Sequence, residues 1–119
     1  MKRVTGIGGI FFKAEDPEKL YQWYEKHLGI KRENGGVMFP GEPETVTVWS
    51  PFKKDTAYFG GGSQSFMINY RVDNMDALLA ALGEEGVEID PKREDHEYGR
   101  FAWIVDPEGN RIELWEPAK

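Results

Sequence analysis

The sequence has 119 residues, the size of one compact domain, and its 21 acidic and 15 basic residues give a net charge of -6. Nucleic acids and anionic membranes bind proteins through basic patches, so this balance argues against both as main partners. The lack of cysteine excludes disulfides, thiolate catalysis and zinc–thiolate sites, and it fits the reducing cytoplasm where we expect the protein to reside. No apolar run approaches the ~20 residues of a membrane-spanning helix.

The N-terminal part of the chain predicts a strand followed by a helix. Residues 4–13 are apolar and rich in glycine, and we predict a strand there. Asp16 and Pro17 are typical of a helix N-cap and a first helical position, and Glu18 suits the positive end of the helix dipole. Apolar residues then recur at helical spacing until Gly29, where we expect the helix to end.

The next part of the chain predicts shorter elements. Residues 37–39 and 45–49 are predicted to form two strands around a turn that contains two prolines. Residues 51–64 follow no periodic pattern and contain three consecutive glycines, so we predict a linker. The tyrosine and phenylalanine before those glycines leave a second interpretation open, in which the segment covers a binding groove as a lid.

The same order of elements then starts again. Residues 65–72 predict a strand, and Asn74 is placed to cap a helix that ends at one of the next glycines. Residues 87–89 predict a short strand, and a polar loop is expected over residues 90–98.

The C-terminal part, residues 99–117, predicts a β-hairpin. Apolar and polar residues alternate on both sides of a five-residue turn at 106–110. One face sets two indoles around one carboxylate, which is unusual for a core and typical of a pocket wall. If the turn pairs Val105 with Arg111, this face carries Phe101, Trp103, Val105, Arg111, Glu113 and Trp115. The other face, a typical core face, carries Ala102, Ile104, Ile112 and Leu114.

The two halves of the chain also align with each other. Residues 45–51 (TVTVWSP) align with residues 111–117 (RIELWEP), and Leu20 in the first helix aligns with Leu78 in the second. Two copies are too few for a stacked repeat protein. We therefore predict a pseudo-twofold pair of βαβββ modules that share one sheet.

Three stretches carry a resemblance to a known family: GIGGIFFKAEDPEKLYQWYEKHLGI at 6–30, MINYRVDNMDALLAAL at 67–82 and DPEGNRIELWEP at 106–117. They resemble the vicinal oxygen chelate superfamily, which includes glyoxalase I, extradiol dioxygenases and bleomycin-resistance proteins. The resemblance covers nearly the whole chain, and the tail DP-x-GN-x-IEL is specific to this superfamily.

The resemblance implies an α+β fold of two tandem βαβββ modules, the glyoxalase/bleomycin-resistance fold. Residues 1–119 are then a single domain, with module one at 1–51, a linker at 52–64 and module two at 65–119. The modules form an open, cup-shaped mixed sheet, with helices on the convex side and the ligand in the concave groove. The resemblance also implies a homodimer.

The enzymes of this superfamily chelate a divalent metal in the groove, and the resemblance places the ligands at Gly9, Thr47, Met67 and Glu113. Only Glu113 matches the ligand expected there. Glycine has no donor atom in its side chain, threonine is a poor ligand, and a thioether does not suit hard or borderline ions. We therefore predict no metal and no other cofactor, with a divalent metal as the alternative.

Strand alternation predicts which side chains line the groove instead. In residues 66–72, Phe66, Ile68 and Tyr70 suit the helix side, which leaves the intervening side chains for the groove. Aromatic walls with a few polar groups are typical of a small-molecule site. The candidate ligand-binding residues are Phe11, Thr47, Trp49, Met67, Asn69, Arg71, Phe101, Trp103, Glu113 and Trp115.

Glu113 has two further interpretations. It is the candidate catalytic residue if the protein is an enzyme, either as a metal ligand or as a general base. It stabilises the sheet instead if it forms a buried salt bridge with Lys13, Arg71 or Arg111.

The sequence supports three functions. The one we favour is binding of an aromatic or amphipathic small molecule without metal, similar to the bleomycin-resistance proteins that sequester an antibiotic. The second is a glyoxalase I-like lyase or isomerase, or a dioxygenase. The third is a dimerisation or regulatory module whose site has degenerated.

Overall fold

The structure is a computed structural model that describes residues 10, 12–33, 36–41, 43, 45–48, 50–61 and 63–118. Its described part contains two helices and four strands, which confirms the α+β class. Neither of these helices has the length and apolar character needed to cross a bilayer. In chain order the elements are α1 (Pro17–Leu28), β1 (Ile68–Arg71), α2 (Met75–Glu84), β2 (Glu88–His96), β3 (Gly99–Val105) and β4 (Arg111–Pro117).

Both helices begin at the predicted caps. Asp16 accepts a hydrogen bond from the amide of Lys19 at 3.1 Å, and Asn74 accepts one from the amide of Ala77 at the same distance. The left-handed residue Gly29, with φ of +69°, ends α1 without the strain that a side chain would add there. These ends are encoded locally, so the sequence predicted them correctly.

The four strands form one sheet in the order β1-β4-β3-β2. β1 runs parallel to β4, and the other two neighbouring pairs are antiparallel. The second half of the chain therefore has the predicted order of strand, helix and three strands. The predicted register of the hairpin is confirmed: the pairs are Val105 with Arg111, Trp103 with Glu113, and Phe101 with Trp115.

The predicted polar loop at 90–98 is wrong, because β2 extends from Glu88 to His96 and pairs with β3. Charged side chains on both faces of β2 hide the alternation that identifies a strand. β2 lies at one end of the strand order, where charged side chains are tolerated. A register shift between Ile89 and Arg93 marks a bulge in this strand.

The first half of the chain contributes no strand to the described part of the sheet. The predicted strands at 37–39 and 45–49 are wrong for residues 37–39 and 45–48, which form none. Val46 and Val48 are 64% and 70% exposed, and within the described residues neither is paired with a strand.

The strand predicted at 4–13 lies mostly outside the described residues, as do 1–9, Phe11 and Trp49. Its described residues, 10 and 12–13, are not in a strand. An isolated bridge between Glu33 and Gly36 is the short pairing that follows α1.

The core lies between the sheet and the two helices. Leu20 and Tyr24 of α1 and Met75 and Leu82 of α2 are buried against the sheet. Burial of one such aliphatic side chain contributes about 1.5–3 kcal/mol. Because α1 comes from the first half and packs on strands of the second half, the two halves share one core. The predicted core face of the hairpin is confirmed as Ala102, Ile104, Ile112 and Leu114.

Candidate functional site

We call the side of the sheet opposite the helices the concave face, after the curvature that the resemblance implies, and it carries the aromatic and charged side chains of the hairpin. Trp103 is fully buried and Glu113 is 7% exposed, and the two are paired across β3 and β4. Phe101 and Trp115 form the next pair on this face, with ring centroids 6.1 Å apart and planes within 7° of parallel. Asn69 of β1 is paired with Glu113 from the other side.

Both oxygens of the Glu113 carboxylate accept hydrogen bonds from neutral groups. Oε1 accepts a short one from the hydroxyl of Tyr58, and Oε2 accepts one from the amide of Asn69 at 2.8 Å. Among the described residues Glu113 forms no ion pair, so the alternative of a salt bridge to a nearby lysine or arginine is not supported. A buried carboxylate without a cation retains a large desolvation cost, and it is a strong acceptor for any donor that reaches it.

Tyr58 brings the irregular segment 51–61 onto the concave face. Its ring meets Trp103 edge-on, with centroids 5.9 Å apart, and stacks on Phe52 at 5.4 Å. Nε of Arg111 donates to the carbonyl of Tyr58 at 3.3 Å. Burial, followed by the hydrogen bond to Glu113, raises the pKa of Tyr58 well above its usual range. The phenol therefore stays protonated at neutral pH and acts as a donor.

One end of the face, next to the hairpin turn, carries two cationic side chains that are paired with carboxylates. Arg111 donates to Oδ2 of Asp90 at 2.8 Å, and its Cζ lies 5.3 Å from the centroid of the Trp103 ring. Nζ of Lys92 lies 5.6 Å from the same ring centroid. The backbone amide of Lys92, followed by the Arg111 guanidinium, lowers the pKa of the Asp90 carboxyl. The indole thus attracts two cations, and each of them is paired with a carboxylate, since Nζ of Lys92 also lies 3.1 Å from Oε2 of Glu94.

The other end of the face is aromatic. The rings of His96 and Tyr98 stack within 11° of parallel at 5.0 Å. Both rings meet Phe101 at a steep angle, at 5.8 and 5.7 Å. The indole nitrogen of Trp115 donates to the carbonyl of Tyr98 at 3.1 Å. This end therefore presents several ring surfaces, beside which Glu94 is paired with Phe101 and lies 2.9 Å from Nε2 of His96.

The structure brings together only part of the predicted site. Phe11 and Trp49 lie outside the described residues. Thr47 is exposed, Met67 is half-buried, and the guanidinium of Arg71 donates to a backbone carbonyl at 3.3 Å. The role of each residue in binding stays a prediction. The predicted residues that the structure places together on the concave face are Asn69, Arg71, Phe101, Trp103, Glu113 and Trp115.

The described residues do not fit the divalent metal that the resemblance implies. Beyond Glu113, the expected ligand positions hold the thioether of Met67 and the exposed hydroxyl of Thr47, while Gly9 lies outside the described residues. Within the described part of the chain, no three histidine, aspartate or glutamate side chains are grouped as metal ligands would be. One carboxylate with two neutral donors does not supply the charge or the ligand number of such a site.

Sequence reasoning missed Lys92 as a residue of this face, and it considered Tyr58 only in the lid interpretation of residues 51–64, not among the candidate ligand-binding residues. Tyr58 lies in a segment without periodicity, and its only signal was an aromatic pair next to three glycines. Lys92 belongs to β2, where charges on both faces left no alternation to interpret.

Trp103 has an unusual polar atom. Its Nε1–H is buried and finds no acceptor among the residues that the structure describes. Buried donors are nearly always hydrogen-bonded, because an unpaired one loses its bond to water without replacement. The hydrogen-bonding capacity of this site is therefore not fully used among the described residues.

Comparison with known proteins links the chain to one family. A family model described as the Glyoxalase/Bleomycin resistance protein/Dioxygenase superfamily matches residues 6–114. The comparison with curated proteins found no match.

Several solved structures share the fold. The antibiotic-binding protein TnmS3 from Streptomyces sp. CB03234 is 23% identical with a TM-score of 0.61, and the alignment covers 99% of this chain and 100% of that one. A superfamily member from Sphaerobacter thermophilus DSM 20745 is 25% identical with a TM-score of 0.55, over 87% and 90% of the two chains. Glyoxalase I from Leishmania major is 23% identical with a TM-score of 0.52, over 85% and 78%.

Proposed function

We propose that this chain, which belongs to the Glyoxalase/Bleomycin resistance protein/Dioxygenase superfamily, binds an aromatic small molecule on the concave face of its sheet. The observation that carries the proposal is the composition of this face. Parallel rings of Phe101 and Trp115 lie beside one buried carboxylate and one amide, those of Glu113 and Asn69. Apolar walls with a few orienting polar groups are the usual make-up of a small-molecule site.

The fold comparison supports binding as the function. The aligned relative TnmS3 is an antibiotic-binding protein, and the alignment spans nearly all of both chains. At 23% identity this likeness shows the fold alone, and an antibiotic-binding role for this chain is our proposal. The ligand we propose is an aromatic or amphipathic molecule that the protein sequesters without changing it.

We propose that binding needs no metal. The support is the donor set, since Glu113 is the one charged side chain among the expected ligand positions. Elemental analysis of protein purified without chelators should find well below one metal ion per chain. Near-stoichiometric nickel, zinc, iron or manganese would overturn this part of the proposal.

The enzyme alternative has less support. A metal-dependent lyase, isomerase or dioxygenase needs further ligands near Glu113, and the described residues do not group them there. A general-base role for Glu113 without metal requires a substrate with an acidic proton at Oε1, where the Tyr58 hydroxyl now lies.

The homodimer implied by the resemblance belongs to the same proposal. Apolar side chains of the first half are exposed, and a second copy of the chain is what we propose to cover them. Light scattering coupled to size exclusion should give twice the 13.6 kDa chain mass, and a monomer would contradict this expectation. The exposed side chains are Ile10, Phe12, Met38, Phe39, Val46 and Val48.

Calorimetric titration tests the binding proposal directly. The protein is titrated with a panel of aromatic metabolites and glycopeptide-like antibiotics. For any compound that binds, Trp115→Ala should weaken affinity by about fivefold or more, since an aromatic contact of this kind contributes about 1 kcal/mol beyond its buried area.

The matched control is Trp23→Ala, which removes an indole from α1 on the other side of the sheet and should leave affinity unchanged. A flat response across the whole panel would contradict the binding function and favour the dimerisation or regulatory module.

A further inference from the structure

The side chain of Tyr58 occupies the concave face in the manner of a bound molecule. Its hydroxyl donates to Glu113, and its ring lies against Trp103 on one side and Phe52 on the other. Tyr58 belongs to no helix or strand, and the residue that accepts its hydrogen bond is 55 positions away in the chain. The phenol of Tyr58 thus lies on the sheet, although the segment that carries it, residues 51–61, is not part of the sheet.

Tyr58 occupies this part of the face, but one buried donor beside it remains without a hydrogen bond among the described residues. The Nε1–H of Trp103, whose ring the Tyr58 ring meets edge-on, is buried and finds no acceptor within the described structure. An unmade hydrogen bond of a buried donor costs free energy that a better-matched occupant would recover. A molecule with an acceptor that reaches this N–H would therefore gain a hydrogen bond that Tyr58 does not make.

The segment that carries Tyr58, residues 51–61, is also partly exposed and forms no helix or strand. Phe52 is 48% exposed, and residues 50–55 are exposed throughout. The backbone hydrogen bonds within the segment are those of tight turns, from Thr56 to Lys53 and from Gly60 to Ala57, and Nε of Arg111 adds a contact of 3.3 Å to the carbonyl of Tyr58. Such a segment opens at a lower free-energy cost than a strand of the sheet.

We propose that Tyr58 is an internal ligand of this face, and that the molecule bound there is an arene with a hydrogen-bond donor that displaces Tyr58 from Glu113. This inference rests on the proposed function and names the ligand class for the same site. A planar ring replaces the ring of Tyr58 against Trp103. A hydroxyl or N–H group replaces its hydroxyl, because both oxygens of Glu113 accept hydrogen bonds in the structure and Oε1 loses its donor when Tyr58 leaves.

Internal occupancy lowers the apparent affinity for every ligand of the face. The apparent dissociation constant is the intrinsic one divided by the fraction of molecules in which Tyr58 has left. Removal of the Tyr58 hydroxyl raises that fraction, because the ring loses its bond to the carboxylate. The substitution that removes a protein contact therefore strengthens ligand binding, an effect that a merely structural tyrosine would not produce.

The test uses two matched probes, 2-naphthol and 2-methoxynaphthalene, titrated by calorimetry into the wild-type chain, Tyr58→Phe and Glu113→Gln. The wild-type chain should bind 2-naphthol about tenfold more tightly than 2-methoxynaphthalene, which corresponds to about 1.4 kcal/mol of binding free energy. Tyr58→Phe should bind both probes about tenfold more tightly than wild type. Glu113→Gln should lose most of the preference for the naphthol.

Tyr21→Phe is the matched control, since it removes a tyrosine hydroxyl on α1 and should change neither affinity. Displacement itself is observed with 3-fluorotyrosine incorporated throughout the chain. The fluorine resonance that is missing in Tyr58→Phe should shift on saturation with 2-naphthol, while the resonance of Tyr21 stays in place.

Each outcome separates the two proposals. Equal affinity of the wild-type chain for both probes overturns the donor requirement, and unchanged affinity in Tyr58→Phe overturns the internal ligand. Either result leaves aromatic binding intact. Failure of every variant to bind either probe, together with a flat response to the wider panel, contradicts the binding function itself.

Discussion

The hydroxyl of Tyr24 donates a hydrogen bond to Oδ2 of Asp106 at 2.8 Å, and both side chains are buried. Tyr24 belongs to α1 in the first half, and Asp106 begins the hairpin turn 82 residues later. Oδ1 of Asp106 also accepts from the amides of Glu108 and Asn110, both at 2.9 Å. One carboxylate therefore shapes the turn and fastens the first helix to the sheet.

Replacement of Tyr24 by phenylalanine should lower the free energy of unfolding by about 1–3 kcal/mol, because it leaves a buried carboxylate without one of its donors. Urea denaturation at pH 7 measures the change. Tyr21→Phe on the same helix should stay within about 0.5 kcal/mol of wild type. An equal loss in the two variants would show that the hydrogen bond to Asp106 does not contribute specifically to the free energy of unfolding.

The same pair predicts a loss of stability in alkali. Burial, followed by the Asp106 carboxylate, raises the pKa of Tyr24 well above its usual range, and burial raises the pKa of Tyr70 to about 12. Above pH ~10 the unfolded chain releases tyrosine protons that the folded chain retains, so the unfolded state binds fewer protons. Stability is therefore full below pH ~10 and falls above it, by up to about 1.4 kcal/mol per pH unit for each such tyrosine.

Denaturation curves between pH 9 and 11.5 test this slope. Tyr24→Phe should lose stability less steeply than wild type over this range, since one of the retained protons is gone. Parallel slopes for the two proteins would mean that Tyr24 titrates alike in the folded and unfolded states.

Gly99→Ala should destabilise the hairpin by about 2–3 kcal/mol. Gly99 has φ of +140°, and a Cβ there would collide with the backbone oxygen of Glu116 and lie 2.5 Å from Nε1 of Trp115. Thermal unfolding followed by circular dichroism measures the loss. Gly36→Ala is the matched control, because a Cβ at Gly36 meets nothing within 4 Å. Comparable melting temperatures for the two variants would contradict the prediction.

Glu108→Ala should lower the free energy of unfolding by about 1–2 kcal/mol. Its two carboxylate oxygens accept from the backbone amides of Glu15 and Asp16, at 2.9 and 3.0 Å, just before α1. Glu108→Gln keeps one acceptor oxygen and should lose about half as much. Glu97→Ala, which removes an exposed glutamate, should remain within about 0.5 kcal/mol of wild type in the same urea titration.

The parts of the fold that the sequence predicted depend on neighbours close in the chain. The caps Asp16 and Asn74 bind amides three residues away, and the hairpin register follows from a turn of five residues. The parts that it missed depend on distant partners. β2 is a strand because β3 pairs with it, although its own side chains show no alternation.

The candidate site divides in the same way. Alternation along β3 and β4 was enough to place Trp103 and Glu113 on one face, because the side chains of a strand point to alternate sides whatever lies above them. Only the tertiary structure decided that the carboxylate takes a phenol and an amide as partners, since Tyr58 comes from a segment whose path no local pattern specifies. The sequence by itself thus determined the wall of the site, and long-range packing determined what lies against it.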